Sequence, residues 1–173
     1  MAEALLGDLL VRRDVDATVS SAGLLSDGQP ATETAVETMA GRGLDITDHR
    51  SRRLSSAMLG SSDLVIGMTR EHLREAAVLR PDLYDRTYTL KELVRLGSEQ
   101  GPRAAGEGLE AWLGRLHRGR DPRQHLGASA LDDVADPVGQ GSRVYEQTAD
   151  ELADLTRALA DLLWPGVRAD VSA

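Results

Sequence analysis

The chain has 173 residues, 41% of them hydrophobic, with no Phe, no Cys and a formal net charge of −8. That length and apolar fraction fit one globular domain with an aliphatic core, and the acidic balance argues against nucleic-acid or anionic-membrane partners except through a local basic patch. The longest apolar runs are too short to cross a bilayer, the first residues are acidic where a signal peptide is basic, and the lack of Cys removes thiolate metal sites and thiol nucleophiles from these residues. A cytoplasmic protein is expected.

Met1 to Arg13 reads as a helix from its first residue. Ala2, Leu5, Leu6, Leu9 and Leu10 recur at helical spacing, Glu3 sits at the positive end of the helix, and Arg12 and Arg13 sit at the negative end. The helix has no capping residue ahead of it, so its first N–H groups call for a turn, a polar side chain or an anion. Asp16 to Gly23 reads as a short strand ending in a glycine turn. Pro30 to Gly43 predicts a helix with Ala35, Val36, Met39 and Ala40 on one face, Leu44 to Leu54 a polar loop, and Ser56 to Leu59 a helical turn. Asp63 to Met68 is an apolar run that suits a strand buried on both faces of a parallel sheet. Thr69 caps a helix running to about Leu79, ended by Pro81, and Arg86 to Leu90 is a weaker strand. Alternating strands and helices imply an α/β, doubly wound, parallel sheet.

From Gly97 to about Leu126 the composition shifts to Gly, Pro, Arg and His, and within it Leu109, Trp112, Leu113 and Leu116 mark a short amphipathic helix. This segment reads more readily as an insertion covering apolar surface than as a lid over a site. A final helix spans about Ser142 to Leu163, with Val144, Leu152, Leu155, Leu159 and Leu162 inward. Pro165 stops it, and 165–173 reads as a flexible tail.

Taken singly, no residue identifies a reaction. His49, His72, His117 and His125 lack metal-ligand spacing, so no metal site is expected, and G-x-S-x-G, Walker and G-x-G-x-x-G patterns are missing from the sequence. Asp136-Pro137 by itself is a turn signal.

The ordered set is more specific. M-A-E-A-L-L opening a helix, S-S-A-G closing the next strand, G-L-D-I-T-D-H-R-S-R-R-L, D-L-V-I-G-M-T-R-E-H-L, and V-A-D-P ahead of the last helix together resemble the low-molecular-weight protein tyrosine phosphatase family. The resemblance covers Met1 to Leu96 and Asp132 to Trp164. It implies a single domain over 1–164, interrupted by an insertion at about 97–127, with the three-layer, flavodoxin-like or Rossmann-like parallel sheet of that family.

In that family a buried strand and a phosphate loop, C-x-x-x-x-x-R-S-P, precede the M-A-E-A helix. The expectation for this chain is therefore a fold lacking its first central strand. The family reaction is hydrolysis of a phosphate monoester, phosphotyrosine above all, through a cysteinyl-phosphate and without cofactor. Helix N–H groups and the Arg stabilise the phosphate and depress the thiol pKa. The resemblance implies that Asp136 is the general acid, that Ser21 and His49 hydrogen-bond to the phosphate loop, and that Pro137 and Val138 form the loop beside the substrate. Val138 and Gly139 stand where the family often has aromatic residues, a departure that weakens the case for phosphotyrosine. Thr69 also stands where Asp or Glu is frequent.

Three readings follow. The first is a phosphatase acting on a phosphorylated protein or a small aryl phosphate, recorded without its N-terminal part and inactive as given. The second is a pseudophosphatase that binds or regulates. The third, an arsenate reductase on the same fold, requires redox thiols and has no support in a chain without Cys. A missing strand would also leave unpaired backbone groups and a slot in the core, predicting low stability or aggregation.

Overall fold

The computed structural model describes residues 1–167. The element order is α1 (Ala2–Arg12), α2 (Glu33–Ala40), α3 (Ser56–Gly60), β1 (Val65–Gly67), α4 (Arg70–Leu79), β2 (Thr87–Thr89), α5 (Leu90–Gln100), α6 (Leu109–His117) and α7 (Ser142–Leu163), with 3₁₀ turns at Pro81–Arg86 and Pro122–His125. Contacts group these elements into two units. One comprises Met1–Arg53 and Ala135–Ala160, the other Leu54–Val134 and Asp161–Pro165. The tail expected over 165–173 lies, from residue 168, outside the described residues.

In the first unit, α1 follows the predicted periodicity and has no side-chain cap at Met1. Thr32 caps α2, its hydroxyl accepting the Ala35 N–H at 3.3 Å. The amphipathic pattern of α2 buries Ala35 and Met39 with Ile46 and Tyr145, and Met1, Ala4, Leu5 and Val36 pack against this core. Tyr145 keeps its hydroxyl satisfied 3.0 Å from the Thr32 hydroxyl. Arg42, following α2, pairs with Glu146 and Asp150 of α7.

The strand predicted over Asp16 to Gly23 does not form. Among the described residues no ladder runs along it, and only Gly23 makes a parallel bridge, to Arg53. A single extended segment has nothing to hold its N–H and C=O groups in a ladder unless a neighbour lies beside it.

The second unit contains the parallel sheet. Val65, Ile66 and Gly67 pair with Thr87, Tyr88 and Thr89, with α4 in the connection that parallel pairing requires. Val65 and Ile66 are half-buried, so the expectation of a strand covered on both faces is corrected: β1 has one ladder partner and a free edge among the described residues. Gly67 admits no side chain, because a Cβ there would lie 2.9 Å from the Cβ of His72 and 3.2 Å from the Thr69 carbonyl. Thr69 caps α4 as predicted.

Sequence periodicity missed α5. Thr89 and Glu92 form a reciprocal capping box at its start, and Leu90, Leu93, Leu96 and Gly97 are buried along it. Within the segment 97–127, α6 buries Trp112, Leu113 and Leu116 as predicted. Trp112 donates to the Gly101 carbonyl at 3.1 Å and packs near Gly97, where a Cβ would meet its ring at 3.2 Å. Helix α7 has the predicted bounds. Its buried stripe is Tyr145, Thr148, Ala149, Leu152, Thr156, Leu159, Ala160, Leu162 and Leu163, so Leu152, Leu159 and Leu162 are inward as predicted while Val144 and Leu155 are half-buried. The hydroxyl of Thr156 fits in that apolar stripe because it donates to the Leu152 carbonyl at 2.7 Å.

Candidate functional site

Two of the residues singled out by sequence, Ser21 and His49, meet at the start of α1 on a third, Glu3. The Ser21 hydroxyl donates to Glu3 Oε2 at 2.5 Å, and His49 Nδ1 lies 3.7 Å from the same oxygen. Glu3 was read from sequence only as a carboxylate suited to the helix dipole. The available signal was its position in the first turn of a helix without a cap, where a carboxylate both favours the dipole and reaches neighbouring loops.

The loops carrying Ser21 and His49 are fastened by backbone contacts. Arg52 reaches back to donate through Nε and Nη2 to the Ser21 carbonyl at 3.2 and 3.0 Å. The Gly23 N–H donates to the Arg52 carbonyl at 2.8 Å, and the Ser51 N–H donates to the Gln29 carbonyl at 2.8 Å. Residues 44–53 are thus fixed beside 21–30 without a regular sheet.

A cavity of about 350 Å³ opens at this place, with Met1, Glu3, Asp45, Asp48 and His49 among its lining residues. The Asp45 carboxyl is held below the usual carboxylate range by hydrogen bonds from the Thr47 N–H and hydroxyl, at 2.9 and 2.7 Å, against a small opposing effect of burial. These carboxylates disfavour direct entry of a phosphate dianion. They suit hydrogen-bond donors.

Asp136 lies in the same unit, on an exposed turn. Its Oδ1 accepts the Val138 N–H at 3.0 Å, and the Gln140 N–H donates to the Pro137 carbonyl at 2.9 Å. Gly139 completes the turn at φ 79°. Pro137 is buried, whereas Val138 is 62% exposed. Among the described residues no hydrogen bond joins Asp136 to Ser21, His49 or Glu3.

Sequence reading also missed the anchors just before this turn, in the second unit. Buried Asp132 accepts from Arg70 at 3.0 and 2.7 Å and from Arg95 at 3.3 Å. Asp133 accepts the N–H groups of Arg70 and Ser129 at 2.7 and 2.8 Å. The Val134 N–H donates to the Met68 carbonyl at 2.8 Å. The signal was the pair of adjacent acids ahead of V-A-D-P, but their partners are distant in sequence.

The comparisons with known proteins bear on the family and the fold. The family model for low molecular weight phosphotyrosine protein phosphatases matches residues 1–100. A protein-arginine-phosphatase of Bacillus subtilis is 31% identical over 164 residues, covering 94% of this chain and 87% of that protein. A probable low molecular weight protein-tyrosine-phosphatase of Ralstonia solanacearum, EpsP, is 31% identical over 121 residues, covering 70% of this chain and 81% of its own length. The crystal structure of a low molecular weight protein tyrosine phosphatase from T. tengcongensis superposes with a TM-score of 0.70 at 29% identity, covering 94% of this chain and 88% of that one. The solution structure of the Bacillus subtilis low molecular weight protein tyrosine phosphatase gives 0.69 at 30% identity, with 96% and 89% covered. With the α/β fold, the order of motifs and the match over most of its length, the chain belongs to the low molecular weight phosphotyrosine protein phosphatase family.

Proposed function

We propose that these residues form the acid-bearing and supporting part of a phosphatase acting on phosphorylated protein side chains, and that the 173-residue chain alone is catalytically silent. The meeting of Ser21 and His49 on Glu3 at the open start of α1 carries this reading, because it gathers polar groups where a phosphate-binding loop would need them. In the proposed reaction a thiolate attacks phosphorus, Asp136 protonates the leaving group, and the same carboxylate then helps to activate water against the cysteinyl-phosphate. The chain has no Cys, so that intermediate has nowhere to form on it. Pro137 and Val138 shape the substrate side, with an aliphatic Val138 in place of an aromatic flank. Similar proteins are named as both protein-arginine- and protein-tyrosine-phosphatases, which supports a phosphorylated protein side chain as the substrate class. Among the described residues no helix is long and apolar enough to cross a membrane, in keeping with a proposed cytoplasmic location.

The lack of a thiol also favours a second reading, a non-catalytic binding or regulatory module. To test the first, a strand and a C-x-x-x-x-x-R-S-P loop are fused ahead of Met1, and turnover of p-nitrophenyl phosphate and of phosphotyrosine and phosphoarginine peptides is measured. The chain as given is expected to show none and the fused protein to be active, with Asp136→Asn lowering kcat by about 10²- to 10⁴-fold. Turnover by the unfused chain, or a folded fusion that is inactive or insensitive to Asp136→Asn, overturns the assignment. Saturable phosphopeptide binding by the unfused chain, with an inactive fusion, supports the second reading.

A further inference from the structure

Several arginines of this acidic chain are neutralised. Arg42, Arg70, Arg80, Arg115 and Arg120 each sit against a carboxylate at 3.2 Å or less. Arg50, Arg52 and Arg53 differ: all are exposed, and among the described residues none has a carboxylate partner within ion-pair distance. Arg50 spends Nη1 on the Thr47 and His49 carbonyls at 2.9 and 2.8 Å, and Arg52 spends Nε and Nη2 on the Ser21 carbonyl. Those acceptors are neutral, so they orient the guanidinium groups without cancelling their charge. The Arg53 guanidinium makes no hydrogen bond among the described residues, although its backbone N–H donates to Asp27 at 3.2 Å.

The backbone beneath them is fixed. The Gly28 N–H donates to the Ser51 carbonyl at 2.7 Å, the Gln29 N–H donates to Ser51 Oγ at 3.0 Å, and bridges join Gly23 to Arg53 and Pro30 to Arg50. A rigid loop loses little freedom when a ligand docks, and guanidinium forks match carboxylates and phosphates. The loop also borders the candidate site directly, since His49 precedes Arg50 and Arg52 holds Ser21.

We propose that Arg50, Arg52 and Arg53 form a cationic ledge that docks the acidic, extended segment flanking the phosphorylated residue of a partner protein. The phosphorylated residue rests on the function proposed above; the acidic flank does not. Three charges within four residues fit a short acidic segment. The net charge of −8 opposes long polyanions and anionic bilayers at range.

The test is fluorescence anisotropy of the 173-residue chain with four labelled peptides, phosphotyrosine or tyrosine at the centre and Asp/Glu or Ser/Gly flanks. The acidic-flanked phosphopeptide is expected to bind about tenfold more tightly than its Ser/Gly counterpart at about 50 mM salt, with the preference shrinking at about 300 mM. Arg50→Glu/Arg53→Glu removes the preference, and Arg123→Glu, on an exposed arginine of the other unit, leaves it intact. Circular dichroism confirms that the variants are folded. No binding, equal binding of both flanks, loss of the preference in Arg123→Glu, or equal affinity for a DNA oligonucleotide or anionic vesicles overturns the proposal. A preference for acidic flanks that is indifferent to the central phosphate upholds the ledge, while the phosphatase reading stands or falls on turnover by the fused protein.

Discussion

Replacing Arg120 by Met breaks the most deeply buried ionic cluster described in the chain. Arg120 and Glu92 side chains are 1% and 4% exposed, and the guanidinium donates to both Glu92 oxygens at 2.9 and 3.1 Å. The remaining donors reach the carbonyls of Tyr84 and Thr87 at 2.9 and 2.8 Å, and the group lies over the Tyr84 and Tyr88 rings. His125 Nε2 stands 2.8 Å from Glu92 Oε1, and its Nδ1 stands 2.8 Å from the Tyr84 hydroxyl. Removing one partner of such a pair leaves a buried charge and costs about 3–5 kcal/mol, which for a domain of this size lowers Tm by about 10 °C. The Glu92→Gln/Arg120→Met double variant leaves no stranded charge and is expected to lose less than Arg120→Met alone. Thermal and urea unfolding followed by circular dichroism measure both. A shift below about 2 °C for Arg120→Met, or a double variant losing as much as the two single variants together, refutes the reasoning.

The same cluster fixes a pH dependence. Burial pushes the Glu92 pKa up, but the hydrogen bonds and charges of His125 and Arg120 outweigh it and bring it from 4.5 down to about 2. A carboxyl depressed in the folded state stabilises the fold fully above its unfolded pKa, and that contribution is lost as pH falls through the folded value. The window therefore runs from about pH 4.5 to about pH 2. At about 1.4 kcal/mol per pH unit, the loss across it is of order 3 kcal/mol. Urea midpoints across this range should fall more steeply for the native chain than for Glu92→Gln; parallel curves contradict the assignment.

Two smaller perturbations test the packing and the caps. Gly97→Ala gains helix propensity in α5, but its Cβ would lie 2.8 Å from a Leu162 methyl and 3.2 Å from the Trp112 ring, so a net loss of about 1 kcal/mol is expected. A more stable variant in urea unfolding would show that this contact relaxes freely. Thr69→Ala removes the hydroxyl that accepts the His72 N–H at 3.4 Å and should cost about 0.5–1 kcal/mol, with amide exchange rising first in the opening turn of α4. Unchanged exchange there would locate the cap elsewhere, in the Asp133 carboxylate that already accepts the Arg70 N–H at 2.7 Å.

Where local chemistry decides the outcome, the sequence is legible. Helices α1, α4, α6 and α7 announce themselves through periodic Leu residues, Thr69 as a cap and Pro81 and Pro165 as stops, because helical hydrogen bonds close within a few residues. Helix α5 escaped because Gly97 and the Arg-rich stretch beyond it look like loop. Its amphipathic face and its Thr89–Glu92 box are strong, but one partner of that box also serves the distant Arg120. The strand at Asp16 to Gly23 failed for the opposite reason, since residues of the right type form a strand only when a neighbour completes the ladder.

By itself the sequence determined the family, the α/β alternation and the missing thiol, and it named Ser21, His49 and Asp136 as candidates. Their types and order survive translation into motif without any contact being known. Only the tertiary structure decided that Ser21 and His49 converge on Glu3, that Asp132 and Asp133 tie down the chain before Asp136, and that three neighbouring arginines remain without carboxylates. Each of those facts depends on partners far apart in the chain, and the choice of partner is a property of packing rather than of composition.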